Sequence, residues 1–234
     1  MEILRKTDKL ILDMKTNDSL RKTILKNAKD NRIFMSWLIF EASTWTNYGF
    51  VLLYLEEAIR LHSMWMMIVS MYYGSIALLR THWSHFTKMI NTLTNEEEKK
   101  QLRINGVRSV GLMLVGLNLI FGIFVSLVTH GEGSFQYSKG VFYLMFLYVG
   151  FGFWASLTNA IRDRGIGMMW NSLRMINLSA AITGVFILIA GFYDNYILEM
   201  STRNLVLSIT GTFSFMILLL LTVHTLLLSD GEEK

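Results

Sequence analysis

The sequence predicts an all-α integral membrane protein with six transmembrane helices, paired as three hairpins, and both termini in the cytosol. Three observations predict it. Two uncharged runs, Ser109 to Thr129 and Gly140 to Ile161, flank a short polar break, His130 to Lys139. Each run has the length of about 20 apolar residues that a helix needs to cross a hydrocarbon core of about 30 Å. The composition agrees: 52% of the chain is hydrophobic and 17% is charged, where a soluble protein carries about 25% charged residues. Finally, 19 of the 22 Lys and Arg residues fall into alternate connecting segments, the asymmetry that the positive-inside rule reads as the cytosolic side.

Residues 1–32 form a basic amphipathic segment with nine Lys/Arg against five acids. Ile3, Leu10, Ile11, Met14, Leu20, Ile24 and Leu25 are spaced for one or two short surface helices. Within it Arg21, Lys22, Lys26 and Lys29 are the candidate contacts to anionic lipid or a partner at the cytosolic face. The segment has no apolar core of signal-peptide length, so the first span is expected to act as the targeting signal.

The six-helix domain is expected over residues 33–228, with spans at about 33–55, 63–79, 109–129, 140–161, 175–193 and 205–228. The first is the least apolar, because Glu41, Ser43, Thr44, Thr46 and Asn47 interrupt it. It is required to cross all the same. Otherwise the nine N-terminal charges would face outward. The second ends at Arg80. Residues 80–108 then form the longest internal polar segment, where Thr94 and Glu97 fit a capping box and predict a short cytosolic helix. A basic turn, 162–174, precedes the fifth span. The predicted location is the plasma membrane, multi-pass.

Several function classes are excluded. With no cysteine there is no disulfide, thiol catalysis or Cys-ligated zinc. No HExxH, P-loop, GxSxG or GxGxxG occurs. The basic stretches lack aromatic interleaving, so no nucleic-acid partner is expected. His82, His85 and His224 have no diagnostic metal-ligand spacing. The chain is therefore not expected to be an enzyme, nor to hold a metal or cofactor.

Glu41 is the most pointed candidate. A carboxyl inside a span costs about 2.5–3.5 kcal/mol on insertion scales and marks a bundle interior or water cavity. Helical spacing puts Thr44 and Tyr48 on its face with Asn47 beside them, a polar stripe suited to a proton or cation. Asn118, Asn159, Asn177, Ser208 and Thr210 read as interhelical hydrogen-bonding groups. Gly111, Gly116, Gly122, Gly150, Gly152, Ala180, Gly184 and Gly211 read as sites of close helix approach. Trp45, Trp65, Trp83, Trp154 and Trp170 read as interfacial anchors.

Three stretches carry a resemblance. The second span has Ser70, Tyr72, Tyr73 and Arg80 in an S-x-YY-x(4–6)-R arrangement. The fourth ends with Ser156, Asn159 and Arg162. The fifth opens with Asn177, Ser179, Ala180 and Ala181. Over residues 50–220 the chain resembles a group of small six-span integral membrane proteins widespread in Firmicutes. That resemblance implies the six-span fold and carries over no activity or ligand. Six spans with cytosolic ends are also similar to cation-diffusion-facilitator transporters. Those place Asp and His metal ligands in their second and fifth spans, which here hold neither, so that zinc mechanism is rejected.

The expectation for function is translocation of a small solute or ion, a proton or cation through the Glu41 stripe, by a homo-oligomer surrounded by membrane lipid. The alternative is a non-transporting regulatory or scaffold protein whose basic cytosolic surface holds partners or anionic lipid.

Overall fold

The computed structural model describes residues 32–130, 139–162, 167–196 and 200–231. Their regular structure is six helices: α1 (Arg32–Leu61), α2 (Met64–Thr92), α3 (Glu96–His130), α4 (Lys139–Arg162), α5 (Met168–Tyr196) and α6 (Met200–Gly231). Each predicted span falls on one helix. The basic segment with Arg21, Lys22, Lys26 and Lys29 lies outside the described residues. Four helices, α3 to α6, are long and apolar enough to cross a membrane. At 30 and 29 residues, α1 and α2 match them in length, about 45 Å at 1.5 Å per residue; their polar residues set them apart.

The second connection departs from expectation. The second span does not stop at Leu79, and no separate short helix fills residues 80–108. Instead α2 runs on to Thr92, and α3 runs unbroken from Glu96 to His130. A charge at Arg80 ends an apolar run, but it does not end a helix. No Gly or Pro lies between Arg80 and Thr92 to do so. The break is local to Leu93–Asn95. There Asn95 is the cap: its Oδ1 accepts from the Glu97 amide at 3.1 Å, and its Nδ2 donates to Glu98 at 3.3 Å. The cap thus falls one residue later than expected, on Asn95 in place of Thr94, and its bonds are not those of the reciprocal box. Likewise α5 begins at Met168, so most of the 162–174 turn is helix.

The turn between α1 and α2 is tight. The Ser63 amide donates to the Ala58 carbonyl at 3.0 Å, and His62 sits at φ 48°. This is a left-handed helix end of the kind glycine usually occupies. Ser63 then caps α2, its side chain accepting from the Met66 amide at 3.5 Å.

The bundle centres on α2, α3 and α5, which pack on one another. Helix α1 packs on α2, α4 on α5, and α6 on both α3 and α5. The α3–α6 seam is close: a Cβ at Gly211 would lie 2.5 Å from Val125 Cγ1, and one at Gly111 would lie 2.5 Å from Leu226 Cδ2. Asn118 crosses the same seam, donating to the Leu218 carbonyl at 3.1 Å and to Thr222 Oγ1 at 2.6 Å. Gly122 and Gly184 are also close-packed, whereas Gly116, Gly150 and Gly152 have no heavy atom within 4 Å of a would-be Cβ. For those three the close-approach reading does not hold. Ser208 is exposed and Thr210 bonds back to Val206 of its own helix, so neither bridges helices. The Asn159 side chain lies outside the described residues.

Trp83 is no interfacial anchor. It is buried, donates to the Met169 carbonyl at 3.0 Å, and packs edge-on to Phe40 and Trp170. Trp45 and Trp154 do lie on the outer surface. That surface is apolar: Leu112, Leu119 and Ile123 on α3, Leu147 and Phe151 on α4, and Phe213, Leu220 and Leu227 on α6 are all exposed. Apolar area on this scale faces lipid rather than water.

Candidate functional site

The site begins with a cation that hydropathy alone assigns to the cytosolic flank. Arg80 is 17 residues into the helical turnings of α2, counting Met64 as the first, and only 4% exposed. Burying a guanidinium, which stays protonated, is costly unless its donors are met. Here neutral groups from three other helices meet them. Nη1 donates to Ser43 Oγ of α1, and Nη2 donates to Asn177 Oδ1 of α5 at 2.9 Å. The Phe40 ring of α1 lies 6.0 Å from the guanidinium carbon, at the outer reach of a cation–π contact. The Tyr148 phenol of α4 interacts with the same group. Nε is buried without a hydrogen-bond partner. Among the described residues, no carboxylate pairs with Arg80.

Arg80 forms part of the wall of a cleft of about 310 Å³. Helix α1 contributes Ala42, Ser43 and Thr46, and α2 contributes Tyr73 and Arg80. Helix α4 contributes Tyr148, Val149, Phe151, Gly152, Ala155 and Ser156, and α5 contributes Asn177, Ala180 and Ala181. This size is at the lower end of small-ligand pockets, and a mostly apolar wall with a few convergent polar groups is their usual make-up.

Why a cleft forms here is a matter of side-chain size. Helices α1 and α4 meet through long side chains at one level. Tyr148 donates to Asn47 Oδ1 at 2.5 Å, Tyr54 donates to Met145 Sδ at 2.7 Å, and the Phe50 and Tyr148 rings lie 4.7 Å apart. Toward the N-terminal end of α1 the facing residues shrink to Ala42, Ser43, Gly152 and Ala155. Nothing large fills the gap, and no Cβ at Gly152 narrows it. The floor is firm: Ser156 Oγ bonds the Asn177 carbonyl at 3.3 Å, and Tyr72 and Thr183 share a 2.6 Å bond between α2 and α5.

The predicted stripe on α1 does not converge. Thr44 is buried and turns back to the Phe40 carbonyl at 2.8 Å. Asn47 reaches α4, while Tyr48 reaches Thr81 of α2 at 3.1 Å. Glu41 is half-buried and is not part of the cleft wall. Their neighbours Ser43 and Thr46 are the α1 residues that line it. His82 bonds Ser109 Oγ at 2.8 Å and packs edge-on to Phe86.

Arg80 is the candidate residue that sequence reasoning missed, since a charge at the end of an apolar run looks like a membrane boundary. The structure does bring together residues that are far apart in the chain. Tyr73, Arg80, Ser156, Asn177, Ala180 and Ala181, all quoted above for the resemblance, come from three separate stretches and line this one cleft. Comparison with protein-family models, curated proteins and solved structures returns no match to the chain.

Proposed function

We propose that the chain is a six-span membrane protein with cytosolic termini that binds a small solute in the Arg80 cleft and moves it across the bilayer. The observation that carries this reading is a buried arginine, held by neutral groups from three neighbouring helices, in the wall of an otherwise apolar cleft. Buried intramembrane charge is costly, and its usual place is a substrate path.

Six crossings are supported by α1 and α2 themselves. Trp45, Leu52 and Ile59 on α1 are exposed at a spacing of seven, and so are Met64, Met71 and Leu78 on α2. Each set forms one apolar stripe along its helix. Exposed apolar stripes of this kind also occur on α3, α4 and α6, so α1 and α2 carry the same outer chemistry as the helices long and apolar enough to cross. The positive wall favours a solute with an anionic group over a proton or metal cation. A cation path would run through Glu41, which stands outside the cleft.

The test is uptake by proteoliposomes holding the full-length chain, screened over small water-soluble carboxylates and phosphates and over single-chain amphiphiles. Gly152→Leu, which fills the cleft, is expected to abolish uptake of the accepted solute, and Glu41→Gln to leave it intact. Absence of uptake across the screen, or uptake equal in Gly152→Leu, overturns the proposal. The sequence has no cysteine, so single cysteines at His62 and Asn95 report topology cleanly. The first should label from outside and the second only after permeabilisation.

A further inference from the structure

We infer that the ligand of the cleft is a single-chain anionic amphiphile, a carboxylate or phosphate head on an alkyl tail, which reaches Arg80 sideways from the inner leaflet between α1 and α4. This rests on the reading of the cleft as a solute site and names the class of solute.

Three features of the cleft select that class. The first is charge. Arg80 is 4% exposed, lines the cavity, and has no carboxylate partner among the described residues. Ser43 and Asn177 supply dipoles only, and Nε is unmet. An anionic head supplies the missing charge and accepts a charge-assisted bond of the bidentate kind that a guanidinium makes with carboxylate or phosphate.

The second is shape. Arg80 is the one charged residue of the wall, and Val149, Phe151, Gly152, Ala155, Ala180 and Ala181 make most of the rest apolar, interrupted by hydroxyls such as those of Thr46 and Ser156. At about 30 Å³ per water-sized group, the cavity of about 310 Å³ takes roughly ten such groups. That accommodates a head and the first part of a chain, with the remainder lying in lipid. A compact hydrophilic anion would leave most of that apolar wall uncovered.

The third is access. Phe151, Ala42 and Thr46 line the cleft and are exposed, and the neighbouring Trp45 on α1 and Leu147 on α4 are exposed apolar residues outside it, so we place its mouth between α1 and α4 on the apolar outer side. The depth agrees. From Met64 to Arg80, α2 rises about 25 Å, and a hydrocarbon core is about 30 Å thick. With cytosolic termini this puts the guanidinium near the inner boundary between acyl chains and headgroups. The head of a single-chain anion in the inner leaflet rests at that level.

The experiment is equilibrium binding of radiolabelled laurate and of dodecyl phosphate to the full-length protein in amphipol. Competitors are dodecanol, acetate and inorganic phosphate. Saturable binding of either probe is expected, with dodecanol weaker by about tenfold or more, the scale of one lost charge-assisted hydrogen bond. Acetate and inorganic phosphate are expected not to compete at the probe concentration. Arg80→Gln should weaken binding by a similar factor and Arg80→Lys by less. Should Arg80→Gln fail to fold, Gly152→Leu fills part of the cavity from its wall without removing the guanidinium and is expected to remove binding.

Equal affinity for laurate and dodecanol overturns the inference, because simple apolar partition then suffices. So does unchanged binding in both Arg80→Gln and Gly152→Leu. Competition by acetate or phosphate at laurate's own affinity overturns it too, and leaves a water-soluble anion as the solute. Cleft-dependent uptake of a soluble solute without laurate or dodecyl phosphate binding refutes the amphiphile alone. Binding without uptake refutes transport alone.

Discussion

Arg80 on α2 donates to Asn177 Oδ1 on α5 at 2.9 Å, and through it two of the three central helices are joined at the level of the cleft. The bond joins a charged donor to a neutral acceptor, so the guanidinium keeps its net charge. Replacing Asn177 by Leu removes the acceptor and leaves a buried donor unmet. The expected loss is about 1–3 kcal/mol, read as a lower thermal midpoint in detergent. The double variant Arg80→Met/Asn177→Leu is expected to recover much of it, since apolar pairs replace buried polar ones at little cost. Ligand binding should not return with stability, and that separation distinguishes a ligand-holding arginine from structural glue.

Gly211 lies at one of the two tightest points of the α3–α6 seam. In Gly211→Ala the new methyl would stand 2.5 Å from Val125 Cγ1 and 3.1 Å from Phe186 Cε2. Val125 is β-branched and stiff at χ1, so the helices must separate, at a cost of about 1–3 kcal/mol. Gly116→Ala, on the same helix as Val125, meets nothing within 4 Å. It should be neutral or stabilising by up to about 1 kcal/mol. Paired thermal melts of the two variants check both signs.

Asp194 and Arg203 tie the end of α5 to the start of α6. Arg203 Nε and Nη2 both donate to the carboxylate, and both side chains are buried. Asp194→Asn takes the charge from one partner only. The expected destabilisation is about 3 kcal/mol, the scale for a broken buried pair. Asp194→Asn/Arg203→Met should be milder than Asp194→Asn alone, as a double-mutant cycle on thermal midpoints would show.

His62 holds a left-handed backbone at φ 48° without being glycine. The side chain raises the energy of that conformation, by about 1–2 kcal/mol for an ordinary residue. Glycine removes the strain but adds freedom to the unfolded chain. His62→Gly is therefore expected to stabilise by about 0.5–1 kcal/mol, read as a modest rise in thermal midpoint.

Hydropathy along the chain was enough to locate α3 to α6, but not the course of α2 through Arg80 to Thr92. The uncharged runs at 109–129 and 140–161 fall on α3 and α4, because crossing lipid imposes a length and a composition that any such segment must show locally. Asn118 as an interhelical hydrogen-bonding group was legible too, because it acts across one seam. Arg80 was not, since a charge beside an apolar run looks the same whether it snorkels to water or is enclosed. Enclosure depends on Ser43, Tyr148 and Asn177, which lie 37, 68 and 97 residues away and meet it only when four helices pack. The same holds for the cleft. Ala42, Gly152 and Ala155 are ordinary small residues in sequence, and they make a cavity only because packing sets them opposite one another, next to an arginine with no counter-charge among the described residues.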